Sequence, residues 1–337
     1  MSDRITISGG LYACLLVIYV HVAAVQYLPG PLLQIAEQDA WLSLLLGGLF
    51  GLSVGFLALW ATRQHPGLGG VALAKRLLGR WLGSLVGLVY WAFFFWIFSL
   101  VVRNVVDFVV LILLPGTPGR VIAFVLAGVA LYAAWHGIEA IARVGFQTMV
   151  ALVAANLALP LLLGREFHVL QRSPVLEHGF GPALAGGVHA FPWFGEALVV
   201  LTLGAHLNPR VRAWRWTAIG VAGAAAILIS LVGLTILTMG PDLPGRFIFP
   251  SYVLIQLISI AHIVERIELA LVTVWLSGMV VKMSTALYVT AESVSHLLGL
   301  RSHRWPAVVM AVAGAALTQI WSSALDLSWF NATPLMR

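Results

Sequence analysis

The sequence predicts an all-α polytopic membrane protein formed as a single transmembrane helix bundle. Of its 337 residues 61% are apolar and only 9% charged, where a soluble globular chain carries roughly a quarter charged residues. Apolar runs long enough to cross a bilayer recur along the chain, each supplying the roughly 20 residues that about 30 Å of hydrocarbon demands. The basic residues fall in short clusters between those runs, so the net charge of +6 is a topology signal and gives no reason to expect a nucleic-acid partner.

Apolar runs bounded by charge, Gly or Pro predict nine spans, at about 9–28, 41–61, 82–113, 121–135, 144–163, 188–207, 216–239, 263–288 and 305–323. The first is read as a membrane segment and not a cleavable signal, because Pro29 and Pro31 lead from it into further apolar sequence. With the amino end inside, the inner loops hold eleven Lys and Arg and the outer loops five, which predicts a cytoplasmic N-terminus. Residues 66–80 alternate Leu68, Val71, Leu77 and Leu78 with Lys75, Arg76 and Arg80, as suits either a short helix on the inner membrane surface or an ordinary basic loop. The longest outer loop, 164–187, is placed to cap an outward-facing pocket, and 247–262 reads as a re-entrant or interfacial helix. Glycines at small-xxx-small spacing, Gly47, Gly51 and Gly55, then Gly79, Gly83 and Gly87, predict close helix packing. The single cysteine, Cys14, excludes an intrachain disulfide and a cysteine-built metal site, and no cofactor motif is present.

Ionisable groups within the spans carry the functional information, because each costs about 2.5–3.5 kcal/mol on insertion scales unless paired or solvated. Arg103 and Asp107 stand four residues apart on segment 3 and predict an internal pair. In segment 6, Phe191, Pro192, Trp193, Phe194, Gly195 and Glu196 place a proline, a glycine and a carboxylate inside an apolar run, so the helix is expected to break and expose backbone groups at membrane depth. Segment 1 is interrupted by His21, Gln26, Pro29 and Pro31. Segment 8 opens with Glu265, Arg266, Ile267 and Glu268, in which Glu265 and Glu268 share a face, and ends near Lys282, expected to snorkel to the inner surface. Breaks in segments 1 and 6 are what an inverted repeat of five helices plus five produces, with a first repeat at about 5–163 and a second at about 182–323. That plan calls for a tenth span, for which residues 324–337 are too few.

The order of these landmarks resembles the permease-like B subunits of spore germinant receptors, within the amino acid/polyamine/organocation transporter superfamily. The resemblance runs from Ile5 to Trp321 and rests on Asp39-Ala40-Trp41-Leu42, Leu77-Leu78-Gly79-Arg80, Arg103 with Asp107, and Leu114-Pro115-Gly116-Thr117-Pro118. It continues through Gly137-Ile138-Glu139-Ala140-Ile141-Ala142-Arg143, Pro174-Val175-Leu176 with Gly179, Gly195-Glu196, and Glu265-Arg266-Ile267-Glu268 before Trp275. It implies an amino-acid-permease-like (LeuT-type) bundle in the spore inner membrane. No enzymatic activity or cofactor is implied. The expected ligand is a small germinant such as an amino acid, and the expected partners are a large membrane subunit and a lipoprotein subunit. The implied pocket lies between segments 1 and 6, bordered by 3 and 8, with His21, Ala24, Gln26, Phe191, Trp193, Gly195 and Glu196 as ligand-binding candidates and Arg103, Asp107, Glu265 and Glu268 as structural or coupling groups. Segment 1 departs from the family in lacking glycine at its unwound turn. An amino acid or organic-cation permease of the same fold, and a membrane scaffold with a decayed pocket, are the alternative readings.

Overall fold

The computed structural model describes residues 6–167, 174–208, 210–258 and 267–320. Those residues are almost wholly helical, and eight helical stretches are long and apolar enough to cross a membrane. The ninth predicted span appears as the shorter apolar helix Arg304–Leu317, and its last residues lie outside the described ones.

Segment 1 is three helical pieces, α1 (Gly9–His21), α2 (Ala24–Tyr27) and α3 (Pro29–Ala36). Ser8 caps α1 by accepting from Leu11 N at 3.3 Å, and Pro29 starts α3 at a position where its missing N–H costs nothing. A 3₁₀ turn at Glu37–Asp39 leads into α4 (Ala40–Gln64), followed by α5 (Gly70–Phe108) with a π turn at Val109–Leu113, α6 (Gly119–His136) and α7 (Ile138–Leu163). Segment 6 comprises α8 (Phe180–Gly195) and α9 (Val200–Leu203), followed by α10 (Ala213–Met239), the seven-residue α11 (Pro250–Gln256), α12 (Ile267–Leu298) and α13 (Arg304–Leu317). Of the stretch 247–262 read as a re-entrant or interfacial helix, residues 250–256 form α11, and 259–262 lie outside the described residues.

Residues 66–80 resolve in favour of a helix. α5 bends at Gly79, whose φ of 78° and ψ of 179° suit glycine alone, so 70–78 forms a separate turn of helix folded back on the start of the long span. A Cβ at Gly83 would meet the Ala74 carbonyl oxygen at 2.5 Å. The Lys75 ammonium donates to the carbonyls of His296 and Leu297 at 2.7 and 3.2 Å, a cation placed on the last turn of α12.

The bundle core has an exchange pattern. α1 packs on α10, α8 packs on α4, and α4 packs on α10; α5 and α12 share a further broad contact. Glycine permits the α4–α8 approach, since a Cβ at Gly51 would stand 2.9 Å from the Cβ of Phe194 and 3.0 Å from its carbonyl oxygen. At the end carrying Arg63, Arg210 and Arg212, Ile7 N donates to His206 O at 2.8 Å and Asn208 N to Ile7 O at 3.1 Å, tying the start of segment 1 to the end of segment 6.

Candidate functional site

The site begins with Pro192 and Gly195. The regular helix α8 ends at Gly195, and Glu196–Val199 continue as a tighter 3₁₀ turn with helical backbone angles. The break is therefore a change of pitch, which re-aims the side chain that follows it. Glu196 is thereby directed into the bundle, only 4% exposed, where Lys282 Nζ donates to its Oε2 at 2.5 Å. Lys282 is fully buried at the middle of α12 and does not snorkel. Four methylenes reach the water only from the last turns of a span, and here a carboxylate lies closer than any surface. Tyr19 of α1 closes the group, with Nζ 5.2 Å from its ring centroid, and Phe94 of α5 lies 6.3 Å from Tyr19. The Tyr19 hydroxyl is buried with no hydrogen-bond partner among the described residues. Segments 1, 3, 6 and 8 thus converge on one buried ion pair, whose members each lower the other's cost of leaving water.

The interruption of segment 1 lies beside it. Past His21 the ladder shifts, with Gln26 N donating to Ala23 O at 3.3 Å, and the Val22 carbonyl instead accepts from Trp275 Nε1 at 2.8 Å. His21 Nδ1 donates to Val17 O at 2.7 Å. His21 and Gln26, both buried, line a cavity of about 90 Å³ with Asn156, Ser251 and Trp275. The structure therefore separates the predicted ligand residues. Glu196 faces Lys282 and Tyr19, and His21 and Gln26 border the cavity. Ala24 is sealed in the core. Phe191 stacks on Phe50 at 4.4 Å, Gly195 also neighbours Phe50, and Trp193 packs half-buried against the core.

The Arg103 guanidinium holds Asp107 at 2.8 Å and also donates to Thr318 O at 2.9 Å, which fastens α5 to the end of α13. Glu268 is half-buried at the start of α12, and Glu265 lies outside the described residues. Ahead of α8, both Asp39 oxygens accept from Leu176 N at 3.0 and 3.1 Å, and Gln38 donates to Pro174 O at 3.1 Å.

Sequence reasoning missed two features. Lys282 as partner of Glu196 was legible only as two opposite charges in spans that offered neither a local partner. His206, which contacts Glu292 and the Tyr288 hydroxyl at 3.3 Å each, had as its signal a carboxylate ten residues beyond Lys282 in a Ser- and Thr-rich stretch of α12. Among the described residues no group of three or more His, Cys, Asp or Glu is placed to hold a metal.

Known proteins agree with this architecture. A solved structure of Mhp1, a nucleobase-cation-symport-1 family transporter in a closed conformation with bromovinylhydantoin bound, superposes with a TM-score of 0.67 over 95% of this chain and 73% of that one, at 12% identity. The fold is a permease-like LeuT-type bundle, and the chain is a multi-pass membrane protein of no enzyme class. Spore germination protein KB of Bacillus subtilis (strain 168) is 27% identical over 270 residues, 78% of this chain and 72% of that protein. The putative spore germination protein YfkT of the same organism is 24% identical over 283 residues, 83% of this chain and 77% of that one. The family model described as spore germination protein, the spore permeases, matches residues 6–324, and the chain belongs to that family.

Proposed function

We propose that this chain is the germinant-sensing membrane subunit of a spore germinant receptor, and that the Glu196–Lys282 pair is where it meets its solute. The observation that carries the reading is the burial of a carboxylate and an ammonium in contact where segments 1, 3, 6 and 8 converge. An α-amino acid is a zwitterion, so its ammonium and carboxylate can exchange with the two halves of this pair, each charge finding an opposite one without adding net charge to the membrane interior. Binding would part Glu196 from Lys282, and with them the 3₁₀ turn of segment 6 from α12, a movement that a partner subunit can read. The partners of this reading are a large membrane subunit and a lipoprotein subunit in the spore inner membrane. The basic end of the bundle supports a cytoplasmic N-terminus.

A permease reading is favoured by one observation, the likeness in fold to a solved transporter; there the same exchange would be followed by alternating access. The test is thermal stabilisation of the detergent-purified protein across the common amino acids, because a ligand that binds only the folded state raises the melting point by mass action. A stabilising amino acid should lose its effect in Glu196→Gln. Retained stabilisation in that variant removes the pair from the binding site, and uptake of the same solute into liposomes bearing the isolated chain selects the permease.

A further inference from the structure

The cavity beside the interruption of segment 1 has a chemistry distinct from that of the ion pair. It lies between α1–α2, α7, α10, α11 and the first turns of α12, and its inner end is closed by the buried His21, Gln26 and Trp275. Asn156 of α7 and Leu271 of α12, both half-buried, stand at its mouth. Asn156 is the polar exception in Leu152-Val153-Ala154-Ala155-Asn156-Leu157, and an amide at membrane depth needs a polar neighbour, which the cavity provides.

Two acceptors stand at its inner end, His21 Nε2 and Gln26 Oε1. Since His21 Nδ1 donates to a carbonyl, the neutral ring keeps Nε2 as an acceptor. Gln26 is 2% exposed and its Oε1 has no hydrogen-bond partner among the described residues; rotation about its soft terminal torsion brings that oxygen to the void. Trp275 Nε1 is already spent on Val22 O and the Ser251 hydroxyl on Val25 O, which leaves the Asn156 amide as a donor at the mouth. Among the described residues no carboxylate, lysine or arginine lines the cavity, so the wall they form suits an uncharged ligand. Its volume of about 90 Å³ is below the roughly 150 Å³ that accommodates a benzene ring, which limits the ligand to a handful of non-hydrogen atoms.

We infer that this cavity is a second binding site, for a small uncharged molecule carrying an NH₂ donor of the primary-amide type, whose two N–H bonds are taken by His21 Nε2 and Gln26 Oε1 and whose carbonyl meets the Asn156 amide. The site is separate from the ion pair and does not depend on the germinant reading. Acetamide is the probe, with acetate as its charged counterpart and N,N-dimethylacetamide as the analogue without N–H donors. Binding is read on the full-length protein in detergent by saturation transfer from protein to the acetamide methyl group. Acetamide should bind at least tenfold more tightly than either control, and Gln26→Leu should weaken it at least tenfold. Ala155→Phe, at the half-buried mouth, should abolish it while the melting temperature stays near that of the wild type. Glu196→Gln combined with Lys282→Met, which removes both charges together, should leave it unchanged. Absence of acetamide binding to the wild type, equal binding of the three probes, or undiminished binding to both cavity variants overturns the proposal and leaves the cavity to water. Loss in that double variant, with its melting temperature near that of the wild type, overturns the separateness of the two sites.

Discussion

Lys282 of α12 and Glu196 of segment 6 meet at 2.5 Å in a part of the bundle that solvent does not reach. Each is the reason the other can be charged there. Removing one partner of such a pair costs about 3–5 kcal/mol, whereas removing both for apolar or neutral groups of like size is far cheaper. Lys282→Met should therefore lower the thermal stability of the purified protein sharply, and Lys282→Met with Glu196→Gln should recover most of the loss. A double variant as unstable as the sum of the singles would show that the two side chains do not act as a pair.

The Trp275 indole holds the carbonyl that segment 1 releases at Val22. Trp275→Phe keeps a ring against Phe108, which packs on Trp275 at a centroid distance of 4.8 Å, but strands the carbonyl at a cost of about 1–3 kcal/mol. The expected result is a lower melting point with normal membrane insertion. An unchanged melting point would mean that another donor replaces the indole.

Asp39 fixes the segment before α8 by receiving Leu176 N on both oxygens while Leu176 itself holds a left-handed φ of 59°. A non-glycine residue keeps that conformation only where its surroundings impose it. Asp39→Ala should free residues 174–179, read as faster proteolytic nicking there in the detergent-purified protein; an unaltered cleavage rate would place the restraint elsewhere.

His303, between α12 and α13 and outside the spans, donates through Nε2 to Ala134 O at 3.2 Å. Burial holds its imidazole below the ordinary 6.5. A histidine whose pKa is lowered on folding contributes its full stability above the unfolded value, and that stability declines as pH falls through 6.5 and the unfolded chain takes up the proton. Melting temperature should drop from about pH 7.5 to about pH 5.5, and His303→Gln, which keeps a donor for Ala134, should drop less. Equal drops would remove His303 from the pH response.

Sequence alone determined what depends on solvent and on local chain chemistry. Apolar run length gave the spans, because hydrocarbon leaves backbone groups no partner except their own helix. Pro29 and the Pro192–Gly195 stretch marked irregularities because they limit which backbone angles and donors are available at those positions, whereas Gly79, read as a packing glycine, is the bend of α5 and has no neighbour within 4 Å of a Cβ. Arg103 and Asp107 were legible as a pair since one helix carries both. Three-dimensional packing decided what joins residues far apart in the chain. Whether Lys282 reaches the surface or a carboxylate 86 positions away depends on which face α12 presents to segment 6, and one-dimensional patterning does not contain that rotation. The same holds for Trp275 on Val22, for Asp39 on Leu176, and for the division of His21 and Gln26 from Glu196. Each was a polar residue that an apolar setting obliged to find a partner, and the assembled bundle supplied the partner's name.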